Sequence, residues 1–167
     1  EVHILLAVYN GAVDLPAQLG SFVGQTHSEW HVLASDDGSD DGSDYILRRF
    51  RRQMLEAQQE AGAPRRVSVM GGPGQGAAAN FLALLRRLAV TDPGAQWVAF
   101  SDQDDVWLPD KIERALAMLS DCDADRPALY CSRTWVTRHD LSAPRLSAPR
   151  RRPGGFRNAL AQNIAAG

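Results

Sequence analysis

At 167 residues and a formal net charge of −2, the chain has room for one sizeable core and no charge excess that marks out a polyanion such as nucleic acid as its partner. Its 44% apolar and 23% charged residues are ordinary for a soluble globular protein. Two cysteines, Cys122 and Cys131, with no Cys-x-x-Cys, exclude a disulfide framework and a cysteine zinc site and suit a reducing cytoplasm.

Val2 to Tyr9 is nearly continuous apolar sequence, the pattern of a strand buried on both faces, and Asn10-Gly11 ends it. Leu15, Leu19, Phe22 and Val23 follow at helical spacing, with Pro16 acceptable in a first turn. Trp30 to Ser35 reads as a second strand, and Asp36 to Ser43 as a turn cluster. A helix is expected from about Asp44 to Glu60, burying Leu47, Phe50 and Met54. Val67 to Met70 is a short third strand, Gly71 to Gly76 a glycine-rich loop, and Ala77 to Ala89 a helix carrying Phe81, Leu82, Leu85 and Leu88. The apolar run Trp97 to Phe100 is the fourth strand, and a helix from Pro109 to Leu119 follows its acidic end. Leu129 to Val136 reads as a fifth strand, residues 140–155 as a mobile loop rich in Pro, Arg, Gly and Ser, and Phe156 to Gln162 as a short helix.

Strand and helix alternate regularly, which predicts an α/β fold with a mostly parallel central sheet flanked by helices and joined by right-handed crossovers. Ligands of such sheets bind beyond the carboxyl ends of the strands. Tyr9-Asn10, Asp36 to Ser39 and Asp102-Gln103-Asp104 are all expected at that edge, so they form one candidate site.

Ser101 to Asp110 is the most informative stretch. Asp102, Asp104 and Asp105 crowd the end of a strand, where they repel one another unless a cation lies between them. In Asp102-Gln103-Asp104 the first and third residues project to one side, so Asp102 and Asp104 can share one Mg²⁺ or Mn²⁺, or divide the work between a sugar hydroxyl and the metal. Mg²⁺ is usually held by one or two carboxylates plus substrate phosphates, which makes a diphosphate its natural second ligand. Capping of the next helix by Asp104 or Asp105 is the plainer alternative.

Asp37 offers a carboxylate to the imide N–H of a uracil or thymine ring, with Asp36 beside it and Gly38 turning the chain; an Asx-turn and cap cluster is the alternative. An EF-hand loop starting at Asp37 fails, because its twelfth position is Arg48. Gly74-Gln75-Gly76 running into Ala77 to Ala79 matches a dinucleotide-loop pattern weakly, since it follows the third strand and has no matching acidic partner. Asn80 is placed either to reach a substrate or to stabilise that loop. Tyr9 is either a stacking surface for a base or a buried sheet-edge tyrosine, and Trp107 is expected to pack beneath the site. His3, His27, His31 and His139 show no ligand spacing. From Arg133 onward there are seven Arg and one acidic residue, Asp140; Arg150-Arg151-Arg152 reads as a solvated loop, with an anionic membrane surface as the alternative contact.

Together these residues resemble family 2 glycosyltransferases of the Rossmann-like GT-A fold. Ile4 to Gly11 is similar to that family's first strand with its Tyr-Asn, Gln25 to Trp30 to the entry of its second strand, and Asp36 to Ser43 to its D-D-G-S-x-D-G-(S/T). Phe100 to Lys111 resembles the form seen in bacterial polysaccharide and rhamnosyl-type members. The resemblance implies a UDP- or dTDP-sugar donor, a glycan or lipid-linked acceptor, a Mg²⁺ or Mn²⁺ ion, and an inverting transfer in the cytoplasm or at the inner face of the plasma membrane. By position it implies that Ala7, Tyr9, Asp36, Asp37, Asn80, Asp102 and Gln103 line the nucleotide-sugar site, with Asp37 on the base, Tyr9 against it, Asp102 toward the ribose or sugar and Asp104 on the metal.

On this reading residues 1–138 bind donor, and 139–167 form a basic loop and the start of an acceptor-side region. The chain ends at Asn163 to Gly167 without a closing element, which suggests a truncated protein whose catalytic base lies beyond residue 167. The alternatives are a phosphatase using Asp102 as nucleophile and Asp104 as general acid, and a non-catalytic nucleotide-sugar-binding module.

Overall fold

The computed structural model describes residues 1–123, 126–138 and 140–148. The chain divides into two compact units, residues 1–113 and 114–167.

In the first unit the elements are β1 (Val2–Val8), α1 (Leu15–Val23), β2 (Trp30–Asp36), α2 (Ser43–Ala61), β3 (Arg66–Gly71), α3 (Ala77–Thr91) and β4 (Trp97–Ser101). The four strands form one parallel sheet in the order β3-β2-β1-β4. All seven residues of β1 are buried, as its continuous apolar sequence predicts for a central parallel strand. Truncating one of its large apolar side chains to alanine would cost roughly 2–5 kcal/mol.

Strand order decides where the helices go. The chain steps outward from β1 through β2 to β3, then returns across the sheet to β4 on the far side of β1. Right-handed crossovers therefore put α1 and α2 on one face and α3 on the other. On the α3 face, Leu5, Ala7 and Leu33 pack with Leu84 and Leu88, and Met70, Phe81, Leu85 and Ala95 lie against them. The opposite-parity residues Ile4, Leu6, Val8, Val32 and Ala34 point the other way and are buried, as are Leu15, Leu19 and Phe22 of α1 and Leu47 and Phe50 of α2. Met54 is only half-buried. α2 ends where Gly62 turns left-handed (φ 63°) and donates its N–H to the Gln58 carbonyl.

α4 (Lys111–Ser120) starts two residues later than the sequence pattern suggests. Gln25, buried at the end of α1, organises the stretch before it: its Nε2 donates to the Leu108 carbonyl (2.8 Å) and its Oε1 accepts the Ile112 N–H (3.1 Å).

The expected fifth strand over Leu129–Val136 is corrected. Only Trp135–Val136 is extended (β5), and it pairs antiparallel with Arg145–Leu146 (β6) in a separate two-stranded ribbon. The polar residues in this run turn the chain back on itself: Arg133 Nε donates to the Ser147 carbonyl, and the Thr134 N–H to Ser147 Oγ. β6 also falls within what reads as a loop over 140–155. The short helix expected over Phe156–Gln162 and the basic run Arg150–Arg152 lie outside the described residues.

Candidate functional site

β1 has β2 on one side and β4 on the other, reached by crossovers of opposite direction. The carboxyl ends of β1 and β4 thus flank the topological switch point, the crevice where open α/β sheets bind ligands. The loops after β1, β2 and β4 all reach that edge.

The loop after β1 is held by the acidic cluster after β2. Asn10 is left-handed (φ 49°), a conformation Asn tolerates better than most residues. Its N–H donates to Ser39 Oγ (2.9 Å) and its Oδ1 accepts the Asp40 N–H (3.0 Å). Gly11 N–H donates to Ser43 Oγ, and Ala12 N–H to Asp41 Oδ2. Asp41 also accepts from the Ser43 hydroxyl and N–H, while Asp36 accepts from Ser39 N–H and Oγ. The second half of Asp36 to Ser43 therefore ties down the β1 loop, and Tyr9 is left 59% exposed at its tip rather than buried in the sheet edge.

Asp37 is 7% exposed and does something else. Its Oδ1 accepts the Gly74 N–H and its Oδ2 the Gly76 N–H, both at 2.7 Å. Gly72 N–H donates to the Asp36 carbonyl, also at 2.7 Å. The loop Gly71 to Gly76 is thus bound to the end of β2 and is no free connection. Gly72 is required by contact: a Cβ there would lie 2.6 Å from Asp37 Oδ1 and 2.7 Å from Asn80 Oδ1. Asn80 is buried, donates Nδ2 to the Ser35 carbonyl (3.0 Å), and has no hydrogen-bond partner for Oδ1 among the described residues. Ala7 lies in the apolar cluster under α3.

Across the switch point, the Gln103 amide clamps the β1 end. Tyr9 N–H donates to Gln103 Oε1 (2.7 Å) and Gln103 Nε2 donates to the Tyr9 carbonyl (3.0 Å). The amide packs so closely on Gly11 that a Cβ there would lie 2.6 Å from Gln103 Cδ and Oε1. Sequence reasoning placed Gln103 in the site but had no signal for this contact, which joins residues far apart in the chain.

Around the clamp, Asp102, Asp104 and Asp105 are exposed side chains on a fixed loop. The loop is anchored from behind: Gln18 Nε2 donates to Ser101 Oγ (2.5 Å), and Trp107 N–H donates to Ser21 Oγ (3.1 Å). Trp107 is buried edge-on against Phe22, ring centroids 4.9 Å apart, and so packs beneath the acidic loop as expected. Partial desolvation, then the neighbouring Asp104, raises the Asp102 carboxyl above its ordinary pKa. Desolvation, then Asp102 and Asp104, raises Asp105, against the opposing pull of Lys111. Lys111, whose ammonium sits 5.1 Å from the centroid of the Trp107 ring, has its own pKa lowered by burial, with Asp105 opposing. Lys111 carries no motif of its own; its one mark in the sequence is a cation directly after an acidic loop. Hard oxygen donors crowded on one loop suit Mg²⁺ or Mn²⁺.

The family model for glycosyl transferase family 2 matches residues 3–162. The chain belongs to glycosyl transferase family 2. The dTDP-rhamnosyl transferase RfbG of Shigella flexneri is 31% identical over 114 residues, 68% of this chain and 36% of that protein. The UDP-Glc:alpha-D-GlcNAc-diphosphoundecaprenol beta-1,3-glucosyltransferase WfgD of Escherichia coli is 26% identical over 121 residues, 71% of this chain and 40% of that protein. The chain thus spans well under half the length of these relatives. Among solved structures, the mannosyltransferase PcManGT from Pyrobaculum calidifontis, in complex with GDP-Man and Mn²⁺, aligns with a TM-score of 0.58 at 21% identity, covering 72% of this chain and 32% of that one. The parallel sheet flanked by helices is the GT-A fold. Among the described residues no helix is long and apolar enough to cross a membrane.

Proposed function

We propose that this chain is the donor-binding part of a glycosyltransferase that moves a sugar from a UDP- or dTDP-sugar to a cell-surface polysaccharide or lipid-linked acceptor. One observation supports the reading: an exposed Tyr9, Asp37 at the end of β2 and the acidic loop after β4 all lie at the carboxyl edge of the parallel sheet of a family 2 chain. Two relatives support it, since RfbG is named for dTDP-rhamnosyl transfer and WfgD for a UDP-glucose donor with a diphosphoundecaprenol acceptor.

In this proposal the Tyr9 ring lies against the base. Asp37 recognises it with lone pairs that the Gly74 and Gly76 amides leave free, and Asp36, Asn80 and Ala7 shape the wall behind. Gln103 contributes by fixing Tyr9. Asp102 and Asp104 hold the Mg²⁺ or Mn²⁺, as supported by the raised Asp102 carboxyl and by a neighbour of this fold that carries Mn²⁺. Such an ion, when bound, neutralises charge on the leaving diphosphate. Transfer is proposed to invert, with an Asp or Glu beyond residue 167 as base toward the acceptor hydroxyl. Residues 1–138 are assigned to the donor side and 139–167 to the acceptor side. A lipid-linked acceptor would place the enzyme at the inner face of the plasma membrane. Family membership favours this reading over the phospho-aspartate alternative.

Calorimetric titration with UDP and dTDP, with and without Mn²⁺, tests it. Binding of at least one nucleotide should depend on Mn²⁺, and Asp104→Ala should abolish that dependence while leaving the fold intact. Equal affinity with and without the ion, or in the variant, would overturn the metal assignment.

A further inference from the structure

The opposite edge of the sheet carries a second group of ligand-type side chains. His3 of β1 and His31 of β2 are register partners, and His31 in turn pairs with Arg66, the first residue of β3. Glu1 precedes β1, and Asp92 follows α3. The amino ends of the strands thus bring two imidazoles and two carboxylates together, far along the strands from the donor site.

His3 is 2% exposed, and neither ring nitrogen makes a hydrogen bond among the described residues. A buried polar side chain without such a partner calls for an explanation. Carboxylate oxygens are nevertheless close to Nε2: Asp92 Oδ2 at 3.2 Å and Glu1 Oε1 at 3.4 Å. They are near but not aligned for a hydrogen bond. Ligand atoms bonded at about 2.0–2.1 Å to a tetrahedral ion lie roughly 3.3 Å apart, so these spacings match neighbouring corners of one coordination shell. Glu1, His3 and His31 each offer a ligand atom, and the three atoms lie within 4.8 Å of one another.

We propose that Glu1, His3 and His31, with Asp92 beside them, bind a divalent transition-metal ion of the zinc class at the amino edge of the sheet. Two imidazole nitrogens select for such an ion over Mg²⁺ or Ca²⁺, which take oxygen. The surroundings fit. His31 Nε2 lies 2.8 Å from Ser68 Oγ, and an N–H given to that hydroxyl leaves Nδ1 with the lone pair. Ligating histidines commonly give their other N–H to such a partner. Burial, then the Arg66 charge, lowers the His31 pKa to about 4 against the pull of Glu1, so the ring is neutral, as a ligand must be. Burial pushes the Glu1 carboxyl up, but the hydrogen bonds and charge of Arg66 outweigh it and keep the group an anion. Arg66 also fixes that carboxylate, through Nη2 to Oε1 (2.5 Å) and Nε to Oε2 (3.1 Å). The role is independent of the donor site and is structural, pinning β1, β2 and the end of α3 together.

The test is titration with Co²⁺ and Zn²⁺. The chain is given a short extension before Glu1, so that no free α-amine adds a donor, and the visible absorption of Co²⁺ and equilibrium dialysis of Zn²⁺ are followed. The expected result is one saturable equivalent with the absorption of a tetrahedral Co²⁺ site, displaced by Zn²⁺. His31→Gln and Glu1→Gln, both outside the fully buried core, should each weaken binding at least tenfold, since even outer-shell losses cost roughly 10–100-fold. Asp102→Asn with Asp104→Asn should leave this equivalent unchanged. No saturable Co²⁺ spectrum, undiminished affinity in His31→Gln, or loss of the equivalent in the Asp102/Asp104 variant would each overturn the proposal.

Discussion

Asp37→Asn keeps the shape of a side chain and removes its charge, at the point where β2 grips the glycine-rich loop. Both carboxylate oxygens accept backbone N–H groups at 2.7 Å, from Gly74 and Gly76. An Asn side chain can accept only one of them and turns its own NH₂ toward the other. A hydrogen bond to a charged group contributes about 1.5–3 kcal/mol and a neutral one about 1. Losing one bond and demoting the other gives roughly 2–5 kcal/mol, and the lower end applies because water can reach the loop amides. The expected loss is therefore about 2 kcal/mol, read as a lower urea midpoint at unchanged slope. If it falls on the loop alone, amide hydrogen exchange at Gly74 and Gly76 should quicken about 30-fold. Gly72→Ala should loosen the same amides while leaving the number of charges unchanged, because its Cβ would lie 2.6 Å from Asp37 Oδ1 and displace that carboxylate. If Asp37→Asn left both protection and stability within about 0.5 kcal/mol of the parent, the loop would not be held by that carboxylate.

Gly11→Ala and Gln103→Ala should be non-additive. The new methyl at residue 11 pushes away the same amide that the other variant deletes, so each single change forfeits the two Tyr9 bonds, roughly 1 kcal/mol in an exposed place, and the double variant should cost no more than either; additive losses in urea unfolding would refute the clamp. Asp105→Asn probes the acidic loop by pH. The Asp105 carboxyl is raised in the folded protein, so its contribution to stability is present below the ordinary carboxylate pKa and is lost as pH rises through the raised value. The variant should therefore be slightly more stable than the parent at pH 7 without metal, by of order 0.5 kcal/mol at most after solvent screening, and equal to it near pH 3. A variant less stable than the parent at pH 7 would show that Asp105 is held by attraction to Lys111 rather than strained by Asp102 and Asp104.

The parts of the fold that depend on local pattern could be read from the chain. Apart from His3, β1 is apolar because both its faces are covered, and α1, α2 and α3 show their buried residues at helical spacing. What could not be read are bonds between distant residues. Nothing around Asp37 says that its partners are the amides of residues 74 and 76, because backbone N–H groups leave no mark in a sequence. Gln25-Thr26 stands out as a motif, but its work, holding Leu108, Pro109, Ile112 and Glu113, lies more than eighty residues away. The same limit applies to His3 and His31. They show no ligand spacing along the chain and become neighbours only because β1 and β2 pair in parallel register. The fifth strand failed for a different reason: a run of mixed residues with an aromatic and a valine at its end predicts extension but not a partner, and Trp135–Val136 pairs with Arg145–Leu146 rather than with the main sheet.

The two edges of the sheet also differ in how their charges are compensated, which bears on function. At the amino edge Glu1 has Arg66 as a permanent partner, and its carboxyl is held below its ordinary pKa. At the carboxyl edge Asp102 and Asp105 have their pKa values raised, and Lys111 opposes that only for Asp105. Partial desolvation comes first among the causes and the neighbouring carboxylates add to it, so each charge sits there at a cost in the absence of a cation. Here the carboxylates sit on a loop whose backbone is tied down through Gln18, Ser21 and Gln103, so its chain path is fixed while the side chains stay open to solvent. Rigid anchoring of mutually repelling groups is the arrangement expected where the compensating charge arrives with a ligand. In the proposed reading that charge is the metal ion accompanying the donor diphosphate.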